Sequence, residues 1–440
     1  MKALPLFYTV IAIPIVLVQA SSLPVDEHSS LSLPRHVPFT RKRILSSRSD
    51  IPFRNFYDWG YYVNFTLGGE EYTALLDTGS ADLWVNDRSG LQLSKETEQN
   101  LTLAFGVGEV VGYVAYADLT LGDYEVQDQV FVKATSMDDL EIDAIFGLGS
   151  DFLSVLFKHD ENYDFSDNHT PLSNVFNQNT SASNFITLSL SRTASGDDPT
   201  SGYFTIGSYD PAFAALENSP RVPLSPPAVT RWQIALDGMT VNGQNFTFED
   251  ANETPPAAEI DSGTSFAFVS QEAADFIYSE IEGAKSCNMS GVSYWIVPCD
   301  AAANLTFGFG GEQFAVHPLD MAELAYYAQP NGTYNTVCYG TYLPFSAVNS
   351  LSNLKYFLLG DVFMRNVYTA FNFGNYTMSG NYSILTSNFP SSPPSVQFLA
   401  KTNAEEAHAE FQARRAETLL DYPPVLDPSS VDCSLVQVPY

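Results

Sequence analysis

The chain has 440 residues, more than a single hydrophobic core usually serves, so its length predicts two domains or lobes. Apolar residues make up 45% of it, with 24 Tyr and 31 Phe, which is enough for a packed body and excludes a mainly disordered chain. The net charge of −31 at pH 7 excludes nucleic acid and anionic membrane surfaces as expected partners, because both carry the same sign of charge.

Residues 1–20 have the pattern of a signal peptide. Lys2 supplies the positive start, residues 4–18 form an apolar run, and a small-residue cleavage site ends at Ala20. A membrane anchor is disfavoured because the run is short and no second one follows it. We expect a secreted protein, with a vacuolar or lysosomal destination as the alternative. Eleven Asn-x-Ser/Thr sequons suit a glycosylated protein on this route; they begin at Asn64, Asn100, Asn168, Asn179, Asn245, Asn252, Asn288, Asn304, Asn331, Asn375 and Asn381.

Residues 21–50 are poor in large apolar residues and contain the main basic cluster, Arg35, Arg41, Lys42, Arg43 and Arg48. Residues 44–440 hold 15 basic and 49 acidic residues. The acidic residues 44–440 should bind the basic segment that precedes them at neutral pH and release it as their carboxylates become protonated. We interpret residues 21–43 as a removable pro-segment that ends near Arg43. A basic linker without a regulatory role is the alternative.

From residue 61 onward, short runs rich in Val, Tyr, Phe, Ile and Thr alternate with Gly, Asn, Asp and Pro, which is the pattern of strands and turns. The predicted strands include 61–67, 72–76, 111–121, 124–133, 185–190, 202–206 and 234–241. Helices are expected at 154–157, 172–176 and 271–281. The sequence therefore predicts a mostly β protein.

A Pro-rich break at 220–227 separates two halves of similar size, which we take as an N-terminal lobe at 52–225 and a C-terminal lobe at 226–390. Each half contains one Asp-hydroxyl-Gly-hydroxyl turn and, later, an apolar run that ends on Gly, at 144–147 and 357–360. This repetition indicates a diverged internal duplication. Residues 391–440 form a C-terminal extension of unknown role, with a predicted helix at 403–421 and no apolar tail that would signal a lipid anchor.

The two Asp turns are the strongest signal in the sequence. The first follows Leu75 and Leu76 and comprises Asp77, Thr78, Gly79 and Ser80; the second follows Glu259 and Ile260 and comprises Asp261, Ser262, Gly263 and Thr264. A single turn of this kind would more often be an ordinary loop with a capping Asp. Two such turns, one in each half and each followed by an apolar strand, favour a paired site.

Two carboxyl groups brought together by such turns have a specific chemistry. The two Gly residues let the backbone turn sharply, and like charges that close cannot both ionise, so the pair shares one proton. The ionised member can take a proton from a trapped water while the protonated member gives one to a peptide carbonyl. We expect Ser80 and Thr264 to orient the carboxylates, and Thr78 and Ser262 to lock the loops.

Here the sequence resembles the pepsin-like aspartic protease family, over roughly residues 57–385. Beyond the two turns, the resemblance lies in the segments 83–85 (Leu-Trp-Val), 105–108 (Phe-Gly-Val-Gly), 143–149 (Asp-Ala-Ile-Phe-Gly-Leu-Gly), 232–234 (Trp-Gln-Ile) and 359–363 (Leu-Gly-Asp-Val-Phe). It implies an all-β, bilobal fold with an active-site cleft between two related lobes. It also implies catalysis by Asp77 and Asp261 on polypeptide substrates at acidic pH, a preference for apolar residues around the cut bond, and no cofactor or metal.

Two features depart from the family pattern. The family's flap carries a Tyr where this chain has Phe105, which precedes Gly106; that Tyr closes over substrate and hydrogen-bonds toward the Trp equivalent to Trp84. Phe keeps the ring but cannot make the bond, so we expect a loss of about 1–2 kcal/mol in transition-state positioning. The stretch from Asp77 to Phe105 is also short for the family and lacks its first-lobe cysteines, which should open or reshape that rim of the cleft. An ordinary hairpin aromatic is the alternative for Phe105.

Four cysteines, Cys287, Cys299, Cys338 and Cys433, lie in the second half. In an oxidising compartment they should form two bridges, for which three connectivities exist. The resemblance implies that Cys299 bonds Cys338, as in the family's second-lobe disulfide. The pairing of Cys287 with Cys433 stays open at this point.

The sequence is thus interpreted as that of an aspartic endopeptidase, made as a zymogen and acting as a monomer without a membrane anchor. The alternative is a catalytically impaired binding protein with a protease fold, which Phe105 and the short rim favour. A third interpretation, a structural wall glycoprotein, is supported only by the sequons and the C-terminal extension. Serine and metalloprotease mechanisms are disfavoured, because none of the six His residues lies beside a Gly-x-Ser-x-Gly turn or in a His-Glu-x-x-His helix.

Overall fold

The computed structural model describes residues 50–435 with gaps at 52, 57, 139–141, 159–168, 180–182, 194–201, 226–230, 249–254, 290–291, 330, 352–353, 355 and 375–392. The predicted signal peptide and pro-segment, and the sequons at Asn168, Asn252, Asn375 and Asn381, lie outside the described residues. None of the described helices is long and apolar enough to cross a membrane.

Twelve strands are described up to the Pro-rich break. They are β1 (Asp50–Ile51), β2 (Phe53–Asn55), β3 (Tyr61–Leu67), β4 (Glu70–Asp77), β5 (Leu83–Asn86), β6 (Lys95–Ala104), β7 (Glu109–Leu121), β8 (Tyr124–Asp138), β9 (Ala144–Gly147), β10 (Phe185–Ser189), β11 (Tyr203–Ile206) and β12 (Val222–Pro223). Eight of them form one sheet in the order β2-β3-β4-β9-β5-β8-β7-β6, and β3 also pairs with β7, so the sheet folds back on itself.

Fifteen more strands are described beyond the break. They are β13 (Gln233–Ala235), β14 (Gly238–Val241), β15 (Gln244–Asn245), β16 (Ala257–Ile260), β17 (Ala267–Val269), β18 (Lys285–Met289), β19 (Val292–Val297), β20 (Leu305–Phe309), β21 (Glu312–Ala315), β22 (Ala322–Ala328), β23 (Tyr334–Gly340), β24 (Tyr342–Pro344), β25 (Phe357–Leu359), β26 (Val367–Asn372) and β27 (Ser395–Ala400). Their sheets run β13-β16-β25-β17-β24, β15-β14-β20-β21 and β18-β19-β23-β22.

Helices are short in the described chain except for the last. The α-helices are α1 (Val155–Lys158), α2 (Pro171–Asn177), α3 (Gln271–Tyr278), α4 (Asp361–Met364) and α5 (Ala404–Thr418). Single turns of 3-10 helix occur at Pro318–Asp320, Phe345–Ala347, Asn349–Leu351, Leu419–Asp421, Pro428–Ser430 and Cys433–Leu435, and a longer one at Pro211–Asn218.

The two halves repeat one arrangement of three strands around each Asp turn. β4 pairs in parallel with β9, and β9 pairs antiparallel with β5. In the second half β16 pairs in parallel with β25, and β25 pairs antiparallel with β17. The apolar runs that end on Gly in the sequence are thus the central strands β9 and β25. This repetition confirms the predicted all-β fold with two related lobes.

A third layer joins the halves. Its six strands run β1-β11-β10-β26-β27-β12, and the pairing of β10 with β26 hydrogen-bonds the first half directly to the second. Trp232 lies over Phe371 and Phe373, with ring centroids 5.0 and 4.8 Å away. The two halves are therefore hydrogen-bonded to each other through this sheet.

The run 234–241, predicted as one strand, is two. β13 pairs with β16, whereas β14 pairs with β20 in a different sheet. Between them the amide of Leu236 donates to Pro256 and that of Asp237 donates to Gly308, so the chain changes partner at this point. Apolar residues alternate on each side of the change, at 234 and 236 and then at 239 and 241, so the phase shifts by one residue at Gly238. The prediction of a single strand overlooked this shift.

The C-terminal extension is folded against the second half. β27, which lies within the predicted extension 391–440, is an inner strand of the six-stranded sheet. Helix α5 lies within the predicted helix 403–421 and buries Ala407, Phe411 and Arg415. Beyond it, the amide of Leu426 donates to Thr336 in β23. The lobe bounds 52–225 and 226–390, and the start of an extension at 391, stay predictions.

Candidate active site

Each Asp turn begins where a buried strand ends. Asp77 is the last residue of β4, and Asp261 directly follows β16. Both strands are fully buried at this end, and the two carboxylates are themselves buried, with relative exposures of 0% and 1%. Burial of this degree is expensive for a charged carboxylate unless hydrogen bonds compensate for the lost water.

Both turns supply the same two hydrogen bonds to their carboxylate. The amides of Gly79 and Gly263 donate to Oδ1 of Asp77 and Asp261, at 2.8 and 2.9 Å. The hydroxyl groups three positions after each Asp, those of Ser80 and Thr264, donate to the Oδ2 atoms at 2.5 and 2.7 Å. The structure thus gives Ser80 and Thr264 the orienting contact that the sequence predicted for them.

Thr78 and Ser262 join the two turns to each other. The Oγ1 of Thr78 donates to the carbonyl of Ile260 and accepts from the amide of Ser262, both at 3.0 Å. The Oγ of Ser262 donates to the carbonyl of Leu76 at 2.8 Å and accepts from the amide of Thr78 at 3.2 Å. Four hydrogen bonds therefore fix one turn against the other across the middle of the molecule.

The two carboxyl groups lie face to face between these turns. A Cβ placed on Gly79 would come within 2.7 Å of Asp261 Oδ1, and one on Gly263 would come closer still to Asp77 Oδ1. Glycine is required at both positions, because any side chain would displace the opposite carboxyl group.

Burial raises the pKa of both acids, and the nearby Asp77 raises that of Asp261 further. For Asp77 the pKa is raised by burial, against the opposing effect of hydrogen bonds from Ser80, Asp261 and the Gly79 amide. For Asp261 burial acts together with the charge of Asp77 and raises the pKa to about 8. A hydrogen bond joins the two side chains, and such a bond between two carboxyl groups requires a proton on one of them.

Comparison with known proteins places this geometry in a family. The family model described as eukaryotic aspartyl protease matches residues 60–380, which include both Asp turns. The chain belongs to that family. This membership confirms the resemblance to pepsin-like aspartic proteases that the sequence motifs indicated.

Relatives of the aspartyl protease family extend the match to most of the chain. The chain is 27% identical over 407 residues to cathepsin D of Dictyostelium discoideum, which covers 84% of the chain and 96% of that protein. It is 25% identical over 372 residues to the vacuolar aspartic protease of Candida albicans, covering 78% and 80%. It is 26% identical over 360 residues to pepsin A of Rhinolophus ferrumequinum, covering 76% and 84%. As a family member the chain is an aspartic-type endopeptidase, a hydrolase of polypeptides.

The predicted flap of this aspartyl protease lies in the hairpin of β6 and β7. Its turn contains Phe105, whose amide donates to the carbonyl of Gly108 at 3.0 Å. The ring of Phe105 is 7% exposed and lies 6.4 Å from the ring of Trp84, which is fully buried. Within the described chain the Nε1 of Trp84 has no hydrogen-bond partner. The hydroxyl that the family places at Phe105 is missing at this contact.

The tip of the flap is instead tied to the second half. Ser350, in the turn Asn349–Leu351, donates its Oγ to the carbonyl of Gly106 at 2.8 Å. Because 244 positions separate these residues, the contact joins the two halves of the chain. Gly106 therefore contacts the second half, and its role in a flap stays a prediction.

Sequence reasoning missed three residues beside the pair. Arg231 and Glu259 form a salt bridge of 2.7 Å, and Tyr356 hydrogen-bonds Glu259. A signal for them was present, because Glu259 places a charge two positions before Asp261 in an otherwise apolar strand. Asp361 was also missed as an individual residue: it is 1% exposed, and neither of its oxygens has a hydrogen-bond partner in the part of the chain that the structure describes.

Two disulfides close the second half. The structure bonds Cys299 to Cys338, as the family resemblance implied, and Cys287 to Cys433. The second bond ties the end of the C-terminal extension to strand β18. Its partners are 146 positions apart, so the linear sequence held no local signal for the pairing.

Proposed function

We propose that Asp77 and Asp261 are the catalytic pair of this endopeptidase and cut peptide bonds at acidic pH by activating a water molecule. The observation that carries the proposal is that two buried carboxyl groups, each held by the same two hydrogen bonds, face each other within hydrogen-bonding reach. A structural role alone does not account for two buried acids placed together at such an electrostatic cost.

In the proposed reaction the carboxylate takes a proton from a water molecule, and the water oxygen attacks the carbonyl carbon of the peptide bond. The neutral carboxyl donates its proton to the carbonyl oxygen, which gives a neutral tetrahedral intermediate. The carboxyl that now holds a proton donates it to the leaving nitrogen, while the other carboxylate takes the proton of one hydroxyl of the intermediate; the bond between carbon and nitrogen breaks, and an acid and an amine are released. No covalent link to the protein forms, and the charge on the pair is the same before and after.

The raised pKa values support a reaction in which the pair keeps one proton. The pair is active with one proton, so activity should fall at high pH when the second carboxyl ionises and at very low pH when both are neutral. Substrates of this pair would be extended polypeptides that enter between the two halves, beneath Gly106.

A second candidate is a binding protein with a protease fold and impaired catalysis. The unpartnered Nε1 of Trp84 beside Phe105, within the described chain, favours it, because the flap lacks one anchor. The complete set of hydrogen bonds around both carboxyl groups favours the enzyme, since a protein that only binds peptides has no need to preserve them.

One assay separates the two candidates. Protein recovered after removal of the leader is incubated with a denatured protein at pH 3–5, with and without a pepstatin-type inhibitor, and released peptides are measured. We expect cleavage that the inhibitor blocks, and no cleavage by Asp77→Asn or Asp261→Asn variants that melt at the wild-type temperature. Absence of inhibitor-sensitive cleavage at every acidic pH would reject the enzyme in favour of the binding protein.

We further propose that the protein is secreted and loses its leader near Arg43. The similarity to the vacuolar aspartic protease of Candida albicans makes a vacuolar or lysosomal destination the alternative. Support comes from the sequons: the Asn side chains are exposed in all seven that are described, at Asn64, Asn100, Asn179, Asn245, Asn288, Asn304 and Asn331. Sequencing of the secreted protein should give an N-terminus shortly after Arg43, and a start near Ser21 would exclude the pro-segment.

A further inference from the structure

The two halves differ at one position beside the catalytic pair. In β4 the residue two positions before Asp77 is Leu75, whereas in β16 the residue two positions before Asp261 is Glu259. Side chains two apart in a strand point to the same face, so Glu259 lies on the side of its strand that carries Asp261. The two turns therefore have the same hydrogen bonds to their Asp side chains, but only the strand before Asp261 carries a second carboxylate, that of Glu259.

Glu259 forms a salt bridge with the guanidinium of Arg231. Its Oε1 accepts from Arg231 Nη1 at 2.7 Å, and Tyr356 hydrogen-bonds the same carboxylate. Arg231 precedes β13, whose pairing with β16 sets Gln233 opposite Glu259. The Glu259 side chain is only 2% exposed and that of Arg231 is 20% exposed, so the pair is largely removed from solvent. A guanidinium that is clamped in this way keeps both its place and its charge.

The clamped guanidinium reaches the opposite turn. Arg231 Nη1 lies 3.5 Å from the carbonyl oxygen of Gly79, two positions after Asp77. This is a weak contact by distance, but it crosses from the second half of the chain to the first. Arg231 is thus a positive group that touches the turn of Asp77 while its counter-ion belongs to the strand of Asp261.

We propose that Arg231, clamped by Glu259 and Tyr356, is a positioning residue that holds the Asp77 turn against the second half and supplies a fixed positive charge that makes Asp77 the ionised member of the pair. This proposal rests on the proposed function. Arg231 would affect the reaction only through Asp77 and would not contact the reacting atoms.

The electrostatics agree with the geometry. Among the effects on Asp77, where burial is the largest, the charge of Arg231 lowers the pKa, and the charge of Asp77 in turn raises that of Asp261. The other titratable groups near the pair are Glu259, Tyr356 and Asp361. Burial raises the pKa of all three, so Tyr356 and Asp361 are neutral at acidic pH, while the charge of Arg231 opposes the rise for Glu259.

The test uses four variants of the mature protein. Arg231→Met removes the charge, Arg231→Lys keeps it without the planar fork, and Arg231→Met with Glu259→Gln removes both members so that no buried charge is left unpaired. Arg88→Met is the matched control, because it removes the same charge from a salt bridge of similar length with Asp143 whose side chains are 35% and 47% exposed. The measurements are kcat, KM and the pH dependence of kcat/KM.

We expect both variants that lack the Arg231 charge to lose about tenfold in kcat with little change in KM. In the pH profile of kcat/KM, the midpoint of their acidic limb should lie about one pH unit higher than in the wild type. The Lys variant should restore the limb but only part of kcat, and the Arg88 control should match the wild type. If both charge-free variants keep the wild-type limb, the charge has no such role and the proposal is overturned. A lower melting temperature with an unchanged limb also overturns it, since that result shows a structural residue only.

A second readout keeps this inference separate from the proposed function. The carboxyl groups are titrated by NMR in protein labelled with 13C at the Asp side chains, and Asp77 is assigned from the resonance lost in Asp77→Asn. Arg231→Met should raise the pH at which the first carboxyl of the pair ionises, whether or not the wild type cleaves peptides. An unchanged titration overturns the role of Arg231, whereas a wild type without hydrolysis overturns the proposed function alone.

Discussion

The indole of Trp84 points its buried Nε1 at no acceptor in the described chain, although the ring of Phe105 lies 6.4 Å away between centroids. A buried donor without a partner costs about 1–3 kcal/mol. Phe105→Tyr places a hydroxyl at the rim of that ring, where it can accept from the indole. We expect the variant to gain about 1–2 kcal/mol in transition-state stabilisation, roughly 5- to 30-fold in kcat/KM for a peptide substrate.

The matched control is Phe105→Leu, which removes the ring and adds no hydroxyl. It should lower kcat/KM, because the flap then loses its packing on Trp84. Equal activity of Tyr and Phe at this position would mean that the flap is held sufficiently by Ser350.

Thr78 supplies the clearest test of the contact between the two turns. Thr78→Val keeps the shape of the side chain but leaves the buried amide of Ser262 without its acceptor. We expect a loss of about 1–3 kcal/mol in the free energy of unfolding. A fall in kcat should accompany it, because the two carboxyl groups lose their fixed relation. Urea unfolding at pH 5 and peptide cleavage measure both effects, and Thr78→Ser, which keeps the hydroxyl, should lose little of either.

A buried acid between two arginines predicts how stability responds to acid. Burial alone would raise the pKa of Asp320, but Arg192 and Arg365 outweigh it and hold the pKa well below its usual value. The stabilisation is thus present above the unfolded pKa of about 3.9 and is lost as pH falls through the lower folded value. Asp320→Asn should cost about 3–5 kcal/mol at pH 5. In denaturant titrations the difference in unfolding free energy between Asp320→Asn and the wild type should become smaller toward pH 2. A difference that does not depend on pH would contradict stabilisation by the ionised Asp320.

Asp361 should have the opposite dependence on pH. Its pKa is raised well above the usual value by burial, and neither oxygen has a partner in the described residues. The favourable contribution of its neutral form is therefore complete below about pH 3.9 and is lost as pH rises through the folded pKa. Asp361→Asn removes the titration, so its melting temperature should match the wild type at pH 3 and exceed it at pH 7. Equal values at both pH extremes would argue against a buried, titrating carboxyl.

The strongest predictions from the sequence were those with a local cause. Asp77 and Asp261 follow buried strands and precede Gly, and two matching local patterns in related halves are enough to predict that they meet. The strand 61–67 and the helix at 271–281 were found for the same reason, since alternation and a capping Ser270 act over a few residues.

What the sequence did not reveal depends on contacts between distant segments. Arg231 stands 28 positions from Glu259, and only the pairing of β13 with β16 brings them together. Strand β27 lies in a polar extension, and its place between β26 and β12 is set by partners that precede it in the chain. The contact of Ser350 with Gly106 likewise exists only because the two halves close around the cleft.

The bond between Cys287 and Cys433 has a practical consequence for anyone who handles the enzyme. A protease can nick its own chain, and a single cut anywhere between these two positions leaves both fragments covalently attached. Such a preparation would migrate as one intact band on a gel without reductant and would divide into two bands with it. Sample integrity should accordingly be judged under reducing conditions.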